Sequence, residues 1–253
     1  MSDDRFDRTL LTEFINTPFG RALAELPIRY FSATLEGEER IARDRGALLV
    51  GNHAFLGHDG FVLATLVHRA TGRYIRFLGE RTLWKIPVVG AFLSKVGAVA
   101  GEPDTAAKLL EAGELVGVYP GGVDDAFKTS AERYQLKWGQ RAGFARLAIR
   151  AKVPILPVAA FGIDDAYTVI GRERWIGRLL LGSDRYDLPL VLGAYGTAIP
   201  RRVKQRYAVL DPIDTTGDPN DPNDVERVRA ATFEAIDSVL APLRAADRNR
   251  EPT

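Results

Sequence analysis

Three histidines, His53, His58 and His68, are the only side chains of this 253-residue chain whose ordinary pKa lies near neutrality. Proton transfer at pH 7 therefore has few candidates. Two of the three share the segment Val50-Gly51-Asn52-His53-Ala54-Phe55-Leu56-Gly57-His58-Asp59-Gly60. An apolar strand ends at Gly51, a loop carries His53, and a helix begins near Asp59-Gly60. Ligands of open α/β sheets collect beyond the carboxyl ends of strands. A histidine there works as a general base when a second group fixes its tautomer, and Asp59 at the helix start can accept from the other ring nitrogen. The bland alternative is that both are loop and cap residues. Metal binding by His53, His58 and Asp59 is a further reading. It is disfavoured because no Asp-x-His sequence occurs and His68 falls on the opposite side or end of the following helix.

A second chemically suggestive segment is Leu115-Val116-Gly117-Val118-Tyr119-Pro120-Gly121-Gly122-Val123-Asp124-Asp125. Adjacent glycines let backbone N–H groups converge on an oxygen, which suits an oxyanion or a close-lying ligand. Taken alone it reads equally well as a tight strand-to-helix turn. The third segment, Val153-Pro154-Ile155-Leu156-Pro157-Val158, is on its own a strand entry with an edge proline.

Composition narrows the chemistry further. The absence of cysteine removes a disulfide scaffold, a thiolate metal site, an iron–sulfur centre and a thiol nucleophile together. No Gly-x-Ser-x-Gly elbow is present either. Thirty-four basic and thirty-three acidic residues leave a net charge of +1, unlike the basic excess of a nucleic-acid binder. With 46% hydrophobic and 26% charged residues the chain is globular, and one domain is the simplest expectation. The start, MSDDRFDR, is acidic and lacks an apolar signal core, so secretion is not expected. The most apolar stretches, Ile86–Gly101 and Ala47–Val67, are interrupted by charged or titratable groups before reaching about 18–20 apolar residues.

The elements that must position these segments are legible in the periodicities. Phe6, Leu10, Leu11, Phe14 and Ile15 recur at helical spacing, and Thr17-Pro18 restarts a helix that Phe19, Leu23 and Leu26 continue to Pro27. This pair of amphipathic segments either packs on the domain or rests on a lipid surface. Candidate strands are Phe31–Leu35, Ala47–Gly51, Tyr74–Leu78, Val96–Ala100, Leu115–Tyr119, Ile155–Ala160, Leu190–Ala194 and Lys204–Leu210. Between them fall helical stretches at Gly60–Arg69, Thr82–Leu93, Thr105–Glu111, Gln140–Ala151 and Arg172–Leu181. Asp221-Pro222-Asn223-Asp224 opens a last helix with Val225, Val228, Thr232, Ile236, Val239 and Leu243 on one face. The alternation predicts an α/β fold: a single domain with a mostly parallel central sheet flanked by helices. The expected divisions are an N-terminal amphipathic helical segment over 1–30, the domain over 31–246 and a frayed tail over 247–253.

In order, the segments resemble the PlsC-like glycerolipid acyltransferase family. Its four blocks appear as Asn52-His53…Asp59, Gly97-Ala98-Val99-Ala100-Gly101, Tyr119-Pro120-Gly121-Gly122-Val123-Asp124 and Val153-Pro154-Ile155-Leu156-Pro157-Val158. The likeness spans about residues 45–162. Tyr-Pro-Gly-Gly-Val, together with Arg133-Tyr134-Gln135-Leu136-Lys137-Trp138-Gly139 and Gly143-Phe144-Ala145-Arg146, resembles the branch of monoacylglycerol and diacylglycerol acyltransferases. Five residues separate His53 from Asp59 where most of the family has four, and the four-residue position is His58. The family's arginines of the second and third blocks fall at Gly101 and Asp124.

The resemblance implies an O-acyltransferase with acyl-CoA or acyl-ACP as donor and a lipid-like alcohol as acceptor, no cofactor and no metal. It assigns His53 as general base and Asp59 as its partner. Asn52, Tyr119, Pro120, Gly121, Gly122 and Val123 are assigned to substrate contact. A neutral residue, Gly101, and an acidic one, Asp124, where arginines would grip a phosphate point to a non-phosphorylated acceptor, since the acidic loop would repel a dianion and two like charges about 4 Å apart cost on the order of 4 kcal/mol at an effective dielectric near 20. Lys128, Arg133, Lys137 and Arg141 are candidates for a coenzyme A phosphate or for a solvated basic face. An apolar substrate groove is expected from Phe55–Leu63 and Leu83–Leu93. A catalytically inactive lipid or acyl-thioester binding protein on the same fold is the alternative, and a metal-dependent hydrolase ranks behind it. The expected location is the cytoplasm or the inner face of the membrane as a peripheral protein.

Overall fold

A computed structural model describes residue 13 and residues 16–85, 87–173 and 188–248. Helix α1 (Pro18–Phe31) starts as expected: the Thr17 side chain accepts from the Gly20 N–H at 2.9 Å and Pro18 occupies the first turn. It does not stop at Pro27. The helix runs to Phe31 and ends on Ser32 in the left-handed region, which displaces the first strand to β1 (Thr34–Glu36). The helical pattern expected over residues 6–15 lies outside the described residues apart from residue 13.

Strand β2 (Ala47–Gly51) is buried along its whole length and explains the layering. Ala47 and Leu49 project into one apolar cluster with α1 and α2 (His58–Thr71). Leu48 and Val50 project into a second, with residues of α4 (Pro103–Glu111), α6 (Gly143–Ala151) and α7 (Pro222–Arg248). A period of two on a strand buried on both faces requires this split. β5 (Leu115–Val118) divides the same way, Leu115 to one side and Val116 to the other.

The main sheet has seven strands, adding β3 (Ile75–Gly79), β4 (Val99–Ala100), β6 (Ile155–Phe161) and β9 (Arg206–Val209), in the order β1-β9-β6-β2-β5-β3-β4. Five neighbours run parallel; β9 is antiparallel to β6 and carries β1 parallel to itself at that edge. The expected mostly parallel sheet is therefore present. Helix α2, which leads from β2 towards β3, covers one face, whereas α6, which leads from β5 back past β2 to β6, covers the other. Chains leaving β2 and β5 thus diverge, which opens a crevice beyond their carboxyl ends.

Three expectations change. Thr168–Glu173 forms a strand, β7, that pairs antiparallel with β8 (Leu188–Leu192) in a separate two-stranded sheet, so β8 does not join the main sheet. The helix expected over Arg172–Leu181 begins inside β7, and its remainder lies outside the described residues. The stretch Thr82–Leu93 is split into a 3-10 turn, Arg81–Lys85, and helix α3 (Pro87–Lys95). A short helix, α5 (Gly122–Ala126), follows the Pro-Gly-Gly turn. The last helix keeps most of its expected face: Val225, Val228, Thr232 and Ile236 are buried and Val239 and Leu243 partly so, while Leu240, which is not among the expected positions, is buried beside them.

Candidate active site

β2 delivers Asn52 and His53 into the crevice. The Asn52 side chain is buried and closes a two-point bridge to the next strand: its Nδ2 donates to the Ala160 carbonyl at 2.9 Å, and its Oδ1 accepts from the Ala160 N–H at 2.8 Å. Sequence reasoning assigned Asn52 to substrate. The structure commits its amide to extending the β2–β6 pairing by one step, which fixes where His53 leaves the sheet.

The chain then makes a 3-10 turn, Phe55–Gly57, with Gly57 at φ 65°, and enters α2 at His58. This turn absorbs the fifth intervening residue. Asp59 sits in the first turn of α2, and its Oδ2 accepts from His53 Nδ1 at 2.9 Å. The ambiguity between Asp59 and His58 is resolved by direction. His58 turns away, its Nδ1 donating to the Phe55 carbonyl at 3.0 Å and its Nε2 accepting from Gln205 Nε2 at 3.0 Å. Gln205 in turn accepts from the Tyr207 hydroxyl at 2.8 Å. With both His58 nitrogens committed to the protein, the set His53, His58 and Asp59 does not converge on a metal.

The Asp59 side chain is fully buried, whereas that of His53 is 19% exposed. Burial pulls the His53 pKa down, but the Asp59 charge and hydrogen bond outweigh it and leave it above its ordinary value. Burial likewise pushes Asp59 up, and His53 more than reverses this, which leaves the Asp59 carboxyl below its ordinary value. A helix N-terminus adds to that preference. Nδ1 being taken, Nε2 is the ring nitrogen left to meet a substrate hydroxyl.

From β5 comes Tyr119, whose ring stacks on His53 with centroids 4.1 Å apart and planes 9° from parallel. Phe77 of β3 also stacks on Tyr119, at 5.3 Å between centroids. The Tyr119 hydroxyl faces the Asp59 carboxylate, and burial followed by that charge pushes its pKa far up, so it remains a neutral phenol. Pro120 is buried and Val123 partly so. The Gly122 N–H is closed onto the Tyr119 carbonyl at 3.0 Å, which makes it part of the turn and takes it away from the oxyanion role expected of it. Gly121 has a packing reason to be glycine: a Cβ there would lie 2.2 Å from Asp125 Cβ.

Sequence reasoning missed the orientation of the two aspartates after this turn. Asp124 pairs with Arg141 at 2.5 Å, and the same guanidinium donates to the Gly121 carbonyl at 2.9 Å. Asp125 points inward, fully buried, where Oδ2 accepts the His53 backbone N–H at 2.8 Å. Lys128 Nζ lies 3.3 Å from Asp125 and 3.1 Å from Asp164, with its own side chain 3% exposed. The available signal was Gly121 standing one helical turn before Asp125. Two expectations are corrected here. The acidic pair carries its own counter-charges, so repulsion of a phosphate loses its force as an argument. And the candidate coenzyme A cations are committed to carboxylates: Lys128 as above, Arg133 to Asp247 at 3.4 Å, Lys137 to Glu132, and Arg141 to Asp124.

Of the expected groove, Val62 and Leu63 are core. Phe61 meets Phe92 at 5.8 Å between α2 and α3, while Phe55 packs on Phe127 and Tyr167.

Comparison with known proteins follows the same geography. A family model described as Acyltransferase matches residues 32–160, about half of the chain, from β1 through β6. An uncharacterized protein of Mycobacterium tuberculosis is 31% identical over 229 residues, covering 87% of this chain and 64% of its own length. A human protein named DGAT1/2-independent enzyme synthesizing storage lipids is 30% identical over 207 residues, covering 81% of this chain and 60% of its own. The chain thus spans less than two thirds of the length of these relatives. The crystal structure of the 1-acyl-sn-glycerophosphate (LPA) acyltransferase PlsC from Thermotoga maritima has a similar fold, with a TM-score of 0.58 and 18% identity over 97% of this chain and 89% of that one.

Proposed function

The chain belongs to the acyltransferase family, and from that premise we propose that it transfers a fatty acyl group from acyl-CoA or acyl-ACP to the hydroxyl of a lipid-like, non-phosphorylated acceptor. The observation that carries the reading is the His53–Asp59 pair at 2.9 Å beyond the carboxyl end of β2. His53 Nε2 takes the hydroxyl proton as the oxygen attacks the thioester carbonyl. Asp59 holds the ring in the tautomer that leaves Nε2 free to accept, and it steadies the imidazolium. Collapse of the tetrahedral intermediate breaks the carbon–sulfur bond, and the departing thiolate recovers the proton from His53. The Gly121 N–H, at the turn beside His53, is the remaining backbone candidate for the oxyanion.

The acceptor preference rests on two observations: the family's arginine positions are Gly101 and Asp124, and the four nearby cations are already paired. The human relative's name, which concerns storage lipids, supports the same direction. Peripheral contact with a membrane is part of the proposal. No described helix is long and apolar enough to cross one. The exposed Phe19 and Leu26 of α1 support an apolar contact instead.

The test supplies acyl-CoA or acyl-ACP with pooled neutral lipid acceptors and follows thiol release together with the acylated product. Thiol release matched mole for mole by ester formation is expected. Saturable acyl-CoA binding without release of thiol would identify a carrier and overturn the enzymatic reading.

A further inference from the structure

The His53 loop is anchored at a third point that the family motif residues His53 and Asp59 do not include. The His53 side chain is held by Asp59 and the preceding residue by the Asn52 bridge to Ala160. The His53 main chain is held by Asp125, whose Oδ2 accepts its N–H at 2.8 Å. Asp125 is itself fixed. Its Oδ1 accepts the Lys137 N–H at 3.3 Å and faces Lys128 Nζ at the same distance, and Lys128 is clamped from the other side by Asp164. Asp164 is held by the Tyr134 N–H at 2.8 Å. Asp125, Lys128 and Asp164 are all at least nine-tenths buried at the side chain. Buried ions are costly unless paired, and removing one partner of such a set is strongly unfavourable. A core that only needed filling would be served as well by apolar side chains.

We infer that Asp125, held by Lys128 and Asp164, is a positioning residue that sets the place and basicity of His53. The inference rests on the reading of His53 as general base. The groups facing His53 are Asp59 from α2, Asp125 from α5, Lys128 just beyond it, and the Tyr119 phenol after β5. Of these, Asp59 and Asp125 are the anions and favour the protonated ring, while Lys128 opposes them. Asp125 is thus a second carboxylate for His53, reached through its backbone and 72 positions away in sequence.

The experiment compares Asp125→Asn, Asp125→Ala and Asp164→Asn in the acyl-transfer assay as a function of pH, with His53→Ala alongside. Asn keeps an oxygen for the His53 N–H and removes the charge; Ala removes both. Asp125→Ala is expected to lose about 10–100-fold in kcat with little change in KM, as a displaced base does. Asp125→Asn is expected to recover most of that loss at the plateau while its acid limb moves to lower pH. Asp164→Asn loosens the clamp on Lys128 without touching His53, and it is expected to lower thermal stability and to reduce kcat less than Asp125→Ala does. Wild-type kcat and a wild-type pH profile in Asp125→Asn and Asp125→Ala would overturn the assignment.

If the Asp125 variants do not fold, the bond is read in the wild-type protein by amide hydrogen exchange. The His53 N–H is expected to exchange at least about 10³-fold more slowly than in an unstructured chain. Unprotected exchange there overturns the anchor. Transfer that survives His53→Ala sinks the underlying reading, and is distinguishable from every result above.

Discussion

At the scale of residues, the pairing of His53 with Asp59 was legible because the two are six positions apart, and local chain geometry limits where six residues can go. What sequence could not separate was Asp59 from His58. The difference is a direction, set by Gly57 in the left-handed region and by Gln205, which holds His58 from 147 positions away. The Asp125 contact and the Lys128–Asp164 pair were illegible for the same reason: nothing local links positions that distant. The residue-scale prediction concerns Asp59→Asn. Loss of the carboxylate charge removes the main influence raising the His53 pKa, so the ring stays neutral to lower pH. The acid limb of the kcat profile should therefore move to lower pH while the plateau falls roughly 10²–10⁴-fold, the usual reach of an oriented acid–base group. A limb that stays in place or moves upward in a pH–rate series would remove Asp59 from that role.

At the scale of elements, most strands were legible because their apolar runs are short and bounded by turn residues, as for Ala47–Gly51, whose expected and observed ends agree. β7 was missed because Gly171 interrupts its β-branched run, at the place where its pairing with β8 shifts register. The first helix passes Pro27 because proline there forfeits one hydrogen bond, while burial of Ile28 and Phe31 beyond it stabilises the continuation by about 1.5–3 kcal/mol per side chain. The turn Phe55–Gly57 matters most for the site, since it alone fits five residues between the catalytic candidates. Gly57→Ala places a Cβ in the left-handed region at a cost of about 1–2 kcal/mol. A lower midpoint of thermal unfolding should then accompany a reduced kcat, because strain relief shifts His53 against Asp59. Unchanged kcat in a measurably destabilised variant would show that the turn does not govern the pair.

At the scale of the whole molecule, the two faces of the sheet differ in what they show to solvent. Among the described residues, the large exposed apolar side chains, among them Phe19, Leu26, Val88, Ile170 and Tyr195, lie on α1, on α3 and the 3-10 turn before it, and in the β7–β8 region. None lies on α4, α6 or α7, which cover the other face. With a net charge of +1, attachment to lipid through this side should depend on apolar burial and little on salt. Replacing Phe19 and Leu26 together by serine should weaken sedimentation with uncharged phosphatidylcholine vesicles by on the order of tenfold or more. Undiminished binding by that variant would remove α1 from the contact.

The scarcity of titratable chemistry in the sequence concentrates the account on one atom, His53 Nε2. Its most direct test is mass spectrometry of lipids from cells overproducing either the wild-type protein or His53→Ala, with both folded to the same extent by thermal melting. Accumulation of an acylated neutral lipid in the wild type alone is the predicted result. The same accumulation in both would contradict the account.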